Sequence, residues 1–107
     1  MSKPRIWISN TTPAPGEILR VRAQVAHPME TGFRSGPDGP LPMNIVTRFA
    51  ATLDGALLLE WLPETAVAQN PYIEFTFAAR HGGLLRMVWT DASGDFASAE
   101  QEIRLQG

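Results

Sequence analysis

The sequence predicts an all-β fold, an immunoglobulin-like β-sandwich of about seven antiparallel strands that forms one domain over residues 1–107. Three observations lead to this prediction. Short runs of alternating apolar and polar residues recur along the chain. Nine prolines and nine glycines separate these runs, and no stretch has the apolar spacing of a long amphipathic helix. A chain of 107 residues can also bury a core of its own without a disulfide or a structural metal.

The clearest strand is Glu17–His27, in which the alternation is regular. Its core-facing residues are predicted to be Leu19, Val21, Ala23 and Val25, and its outer residues Arg20, Arg22 and Gln24. The remaining strands are predicted at Arg5–Ser9, Asn44–Leu53, Ala56–Leu62, Tyr72–Arg80, Leu84–Asp91 and Asp95–Leu105. By the same alternation, the core receives Ile45, Thr47, Phe49, Ala51, Leu53, Ile73, Phe75, Phe77, Leu85, Met87 and Trp89, and Val46 faces outward.

The connections between these strands differ in character. Asp54-Gly55 is the strongest hairpin signal in the chain, because both residue types tolerate a positive φ. A loop without regular structure is predicted over Pro28–Pro42, which contains three Gly and four Pro. Loops of this length in a compact domain are often functional or mobile. Residues 64–69 have room for a single helical turn only.

The composition excludes several classes of function. A chain without cysteine can form no disulfide, thiolate nucleophile, Cys-ligated zinc site or iron–sulfur cluster. The net charge of −2 argues against a nucleic-acid binder, which would need a basic surface. Six basic and three acidic residues lie in residues 1–53, and three basic and eight acidic residues in 54–107. Because the strands of a sandwich interleave, we expect a mixed charged surface and not two oppositely charged halves.

No catalytic or metal-binding motif stands out. The two histidines are His27, at the end of a predicted strand, and His81, in a glycine turn, and neither belongs to a nucleophile–base pattern. His27, Glu30 and Asp38 would meet if the long loop folded back, but their spacing matches no metal motif. We therefore predict no catalytic residue, no cofactor and no metal. An enzyme that uses His27 and Glu30 is the least favoured alternative.

Three short motifs are more specific in combination than any of them alone. They are the HPMETG run of residues 27–32, the later NPY and the WTD of residues 89–91. The residues of the first two motifs are His27, Pro28, Met29, Glu30, Thr31, Gly32, Asn70, Pro71 and Tyr72. With residues 3–6 (KPRI) and 16–17 (GE), they make the chain resemble, nearly end to end, the SoxZ family. Pro37, Pro40 and Met43 depart from the family's pattern in the loop.

The resemblance implies a supporting function, in which the reactive group belongs to another protein. SoxZ proteins are small subunits of the SoxYZ sulfur carrier in the thiosulfate-oxidising Sox system. The resemblance implies a non-catalytic subunit that pairs with a SoxY partner, whose C-terminal cysteine carries sulfur intermediates in the periplasm while other Sox enzymes dock transiently. The first seven residues do not have the pattern of a secretory signal peptide. We therefore expect export together with a partner that carries the signal.

The partner is expected to contact apolar positions that alternation leaves on the outside, together with the long loop. The candidate interface residues are Met29, Phe33, Arg34, Val46, Leu58, Trp61, Leu84, Val88 and Phe96. For any one of these residues, a place in the core is the alternative. Arg20, Arg22 and Arg34 are alternatively sites that attract anionic tails or docking enzymes, although a solvated strand face suits the first two better. An independent β-sandwich protein-binding module is the alternative function, and self-association of the isolated chain stays open.

Overall fold

The computed structural model describes residues 1, 3–30, 32, 35–37, 39–40, 43–63 and 70–106. Nine strands run through them: β1 Arg5–Ile8, β2 Ile18–Gln24, β3 Ser35–Gly36, β4 Gly39–Pro40, β5 Val46–Leu53, β6 Ala56–Trp61, β7 Tyr72–Ala78, β8 Gly83–Asp91 and β9 Phe96–Ile103. The strands β3 and β4 have two residues each, so seven strands build the body of the domain. No helix in the described ranges is long and apolar enough to cross a membrane.

Two antiparallel sheets form the sandwich and confirm the predicted fold class. One sheet has three strands in the order β1-β2-β7, and the other has four in the order β6-β5-β8-β9. The strand β2 pairs with β7 from Ile18 opposite Ala78 to Gln24 opposite Tyr72. Connections therefore cross between the sheets, as they do in immunoglobulin-like sandwiches. The prediction placed these seven strands correctly: six were predicted one to four residues too long, and β8 was predicted to begin one residue late.

The core lies between the two sheets and is made of the residues that alternation selects. Leu19, Val21 and Ala23 on β2 are buried, because every second side chain of a strand faces the same side. Trp89 on β8 and Phe49 on β5 are both fully buried, with ring centroids 4.8 Å apart. Phe75 on β7 lies 6.2 Å from Phe49, so an aromatic contact joins the two sheets.

A β-bulge at the start of β5 overturns two of the predicted side-chain directions. The register with β8 shifts between Val46 and Arg48, so that one residue is left without a partner. As a result Ile45 and Val46 are both buried, and Val46 is 0% exposed. Thr47, which was predicted to face the core, is exposed. The prediction that Val46 faces outward is wrong for the same reason.

The connections agree in part with the predictions. Asp54 (φ 48°) and Gly55 (φ 83°) form the tight turn of the predicted β5–β6 hairpin. Residues 28–42 are not wholly irregular, since β3 and β4 pair there and Glu30 forms a bridge with Asn44. The predicted helical turn at residues 64–69 lies outside the described residues.

Candidate functional site

Three segments that are remote in the sequence meet at the base of the long loop. His27 follows β2, Asn70 precedes β7, and Asp91 ends β8. The backbones of His27 and Asn70 are joined because the Asn70 N–H donates to the carbonyl of His27 at 2.7 Å. The His27 N–H donates in turn to Asn70 Oδ1 at 2.9 Å. These bonds join the HPMETG and NPY motifs, and a contact between His27 and Asp91 adds the WTD motif. We call the site that the three motifs form the loop-base network.

The imidazole of His27 is enclosed and both of its nitrogens are used. His27 is 4% exposed. Its Nδ1 accepts a hydrogen bond from the Met29 N–H at 2.9 Å. That bond assigns the ring proton to Nε2, which lies 3.2 Å from Asp91 Oδ2 and donates to it. The ring has no lone pair left for a substrate.

Asp91 collects hydrogen bonds from both sides of the site. Its Oδ2 accepts from His27 and, at 3.3 Å, from Asn44 Nδ2. Its Oδ1 accepts from the N–H of Ser93 at 3.0 Å, the Ser93 hydroxyl at 2.6 Å and the N–H of Asp95 at 3.0 Å. Burial acts to raise the pKa of Asp91, but these hydrogen bonds outweigh it and hold that pKa below its usual value. The carboxylate is therefore stabilised in its ionised form by hydrogen bonds and not by a cationic side chain.

Met29 ties the loop to the core. Its side chain is 5% exposed, and the Val46 N–H donates to Met29 Sδ at 3.2 Å. The backbone at Met29 has a φ of 51°, which is uncommon for a residue with a side chain. In this conformation the Met29 N–H reaches the His27 ring. Met29 therefore occupies the core position that was the alternative for each interface candidate, and its contact with a partner stays a prediction.

The loop-base network has the geometry of a structural element and lacks that of a catalytic centre. A general base needs a free nitrogen within reach of a substrate, and His27 offers none. Ser93 donates its hydroxyl to Asp91 and has no base of its own. In the described ranges no three His, Asp or Glu side chains come together as metal ligands. Asp38 of the predicted His27–Glu30–Asp38 set lies outside the described residues.

The remaining candidate interface residues are distributed over the sandwich. Leu58 and Trp61 on β6 are half-buried and pack against the core. Leu84 and Val88 share the outer face of β8, where Leu84 is 41% exposed. Phe96, at the start of β9, is opposite Thr90 in register and is 60% exposed. Phe33 and Arg34 lie outside the described residues.

A comparison with protein families shows to which family the chain belongs. A family model described as sulphur oxidation protein SoxZ matches residues 8–102. The chain belongs to the SoxZ family. It is therefore a subunit of a sulfur-oxidising Sox system, as the motifs had indicated.

Solved structures add a likeness of fold to this SoxZ membership. The superoxide reductase (neelaredoxin) from Ignicoccus hospitalis is 18% identical, over 98% of this chain and 81% of that one, with a TM-score of 0.72. A second structure of a superoxide reductase from that organism is 17% identical, over 97% and 80% of the two chains, with a TM-score of 0.71. Identities this low show the sandwich fold alone. A comparison with curated protein sequences gave no match.

The contacts of two members of the loop-base network were not predicted. Asn44 bridges the two edges of the loop, because its backbone pairs with Glu30 and its side chain reaches Asp91. Asp91 was predicted as the last residue of a strand and as part of the WTD motif, and it also receives the N–H groups of the turn that follows. An Asp at the end of a buried strand, beside a turn of small residues, was the available signal for a buried carboxylate. Its pairing with His27 depends on strand order, which the sequence pattern does not specify.

Proposed function

We propose that this chain is a non-catalytic subunit that forms a heterodimer with a SoxY-like partner, whose cysteine carries sulfur intermediates during thiosulfate oxidation. The observation that carries the proposal is chemical. The chain belongs to a sulfur-oxidation family, yet its 107 residues include no cysteine. A thiolate is the side chain that forms a covalent bond to sulfur intermediates. The thiol must then belong to another protein, and this chain supports it.

The engaged state of His27 supports a role without catalysis. The histidine of the family-like HPMETG motif is fully used in holding Met29 and Asp91. Loss of the His27 side chain would therefore loosen the loop and would not remove a proton acceptor from a reaction. The motif then serves to give the long loop a fixed base.

We propose the outer face of the β6-β5-β8-β9 sheet as the partner-binding surface. Leu84, Val88 and Phe96 lie on this face, and Leu57 on β6 is 58% exposed there. The face also carries two exposed ion pairs, Arg48–Glu60 and Arg86–Glu100. Apolar and charged side chains alternate along this face, since Arg86 lies between Leu84 and Val88 on β8, and protein interfaces contain side chains of both kinds.

Co-purification with the partner tests this function. The chain is co-expressed with a SoxY-like subunit, and the complex is weighed by native mass spectrometry under non-reducing conditions. We expect a one-to-one complex in which added sulfur mass resides on the partner. A chain that purifies alone, or that carries the added mass itself, would overturn the proposal. A stable monomer with unchanged solubility would favour the independent binding module.

The surface is tested with charge introductions on matched positions. We expect Leu84→Lys with Phe96→Lys to weaken partner binding roughly a hundredfold, because charges in a desolvated interface are costly. Ile18→Lys is the control, since Ile18 is 62% exposed on the other sheet. Equal affinities of the two variants would place the interface elsewhere.

We also propose that the complex acts in the periplasm and is exported by the signal of the partner. The proposal rests on the chain's membership of the SoxZ family and on the periplasmic role that the resemblance to that family implies. Fractionation of cells that express the chain with and without the partner tests this. The chain should enter the periplasmic fraction only when the partner retains its signal. Export without the partner would contradict the proposal.

A further inference from the structure

A cleft beside the three-stranded sheet carries positive charge and lies outside the proposed partner-binding surface. It has a volume of about 380 Å³ and is lined by Lys3, Arg5, Gln24, Ala26 and Asn70. This volume lies within the range of small-ligand sites. Two of the lining residues that the structure describes are cations, and none of these described residues is acidic.

The acidic side chain described on this sheet pairs with other residues. The acid on the outer face of this sheet is Glu74, and it lies 3.3 Å from Arg20 and 3.5 Å from Arg22. Glu74 also accepts the hydroxyl of Tyr72 at 2.9 Å. Within the part of the chain that the structure describes, neither Lys3 nor Arg5 forms an ion pair. The cleft is therefore a local positive site on a chain of net charge −2.

The wall of the cleft is held by the loop-base network. Asn70 has a φ of 53° and is fixed by its paired hydrogen bonds with His27. Its Oδ1 accepts the His27 N–H at 2.9 Å, and among the described residues its side-chain amide nitrogen donates no hydrogen bond. Gln24 Nε2 donates to the carbonyl of Asn70 at 3.0 Å and closes the same wall. Asn70 thus offers a positioned neutral donor next to the two cations.

We propose that this cleft binds a small oxyanion group, with Lys3 and Arg5 as charge partners and Asn70 as a hydrogen-bond donor. A guanidinium fork and an ammonium together match the oxygens of a sulfate-like or sulfonate group. The group arrives either as a free inorganic oxyanion or at the end of a chain. The chain-borne source rests on the proposed function, since it requires a modified cysteine on a partner. The oxyanion site itself does not depend on the proposed function.

Titration of the ¹⁵N-labelled full chain by NMR tests the site, with any tag placed at the C-terminus. Sodium thiosulfate and sodium sulfate are added at constant ionic strength, with chloride as the balancing anion. We expect saturable shifts at Arg5, Gln24 and Asn70, including the side-chain amides. The double variant Lys3→Met/Arg5→Met should raise the dissociation constant at least tenfold. The matched control Arg86→Met/Arg104→Met removes one cation on β8 and one that directly follows β9, and it should leave the dissociation constant unchanged.

A second arm separates the two sources. A short glycine-rich peptide with an S-sulfonated cysteine is compared with the same peptide as a thiol. Tenfold tighter binding of the sulfonated peptide than of thiosulfate indicates a chain-borne group, and the reverse order indicates a free oxyanion. Shifts that do not saturate, or equal affinities in the two double variants, overturn the proposal. Failure of the proposed function is read separately, from co-purification of the partner with the unmodified chain.

Discussion

His27 Nε2 lies 3.2 Å from Asp91 Oδ2, and this contact joins the two sheets of the sandwich where the long loop begins. The side chains of both residues are nearly fully buried, at 3% and 4% exposure. They are 64 residues apart in the chain. A buried carboxylate is tolerated only when its hydrogen bonds are complete, and five donors complete those of Asp91. The pair therefore determines how the loop is held against the core.

Removal of the carboxylate should cost much of the stability of the domain. We expect Asp91→Ala to lower the free energy of unfolding by about 3–5 kcal/mol, because it leaves His27, Asn44 and the turn N–H groups without an acceptor. Urea denaturation followed by tryptophan fluorescence measures this. Glu100→Gln is the control, since Glu100 pairs with Arg86 in solvent and its loss should cost less than about 1 kcal/mol. A similar small loss for both variants would contradict the role given to Asp91.

The pH dependence of stability follows from the lowered pKa of Asp91. A group whose pKa is lower in the folded state adds stability above its unfolded pKa of about 3.9. That contribution is lost as the pH falls through the lower, folded value. The stability gap between the wild type and Asp91→Asn should therefore be largest near pH 7 and should shrink below about pH 4. Denaturation midpoints of both proteins at pH 7, 4 and 3 measure it. A constant gap would contradict the assignment.

The strands could be predicted from the sequence because their physics is local. Alternation of apolar side chains reports directly which face is buried, as on β2, where Leu19 and Val21 face the core. The Asp54-Gly55 hairpin was predictable for the same reason, since the turn chemistry belongs to two adjacent residues. Neither feature depends on which strand is its neighbour.

The loop-base network could not be predicted, because it depends on strand order. His27, Asn70 and Asp91 meet only because β2 and β7 pair in one sheet and β8 packs opposite them. The bulge before Arg48 is likewise set by pairing with β8, and it reverses the directions of Val46 and Thr47. Motif resemblance indicated that these residues belong together but contained no information about their contacts.

The bulge gives a prediction about two adjacent residues. Val46→Ala should lower the free energy of unfolding by about 2 kcal/mol, because Val46 is fully buried and its loss leaves a cavity. Thr47→Ala should change it by less than about 1 kcal/mol, because Thr47 is exposed and loses only a solvent-exposed hydrogen bond to the Thr90 carbonyl at 3.3 Å. Thermal and urea denaturation of the two variants provide the comparison. The opposite order of effects would show that Thr47 faces the core and Val46 faces solvent, which would contradict the bulge.

The Asp54-Gly55 turn gives a prediction about backbone conformation alone. Gly55 has a φ of 83°, and a side chain added there would meet no atom within 4 Å. Any cost of Gly55→Ala therefore reports the left-handed conformation and not a clash, and we expect about 1 kcal/mol. Gly55→Asn should recover most of that loss, because asparagine tolerates this conformation better than alanine does. Equal stabilities of the alanine and asparagine variants in urea denaturation would show that the turn is not held in this conformation.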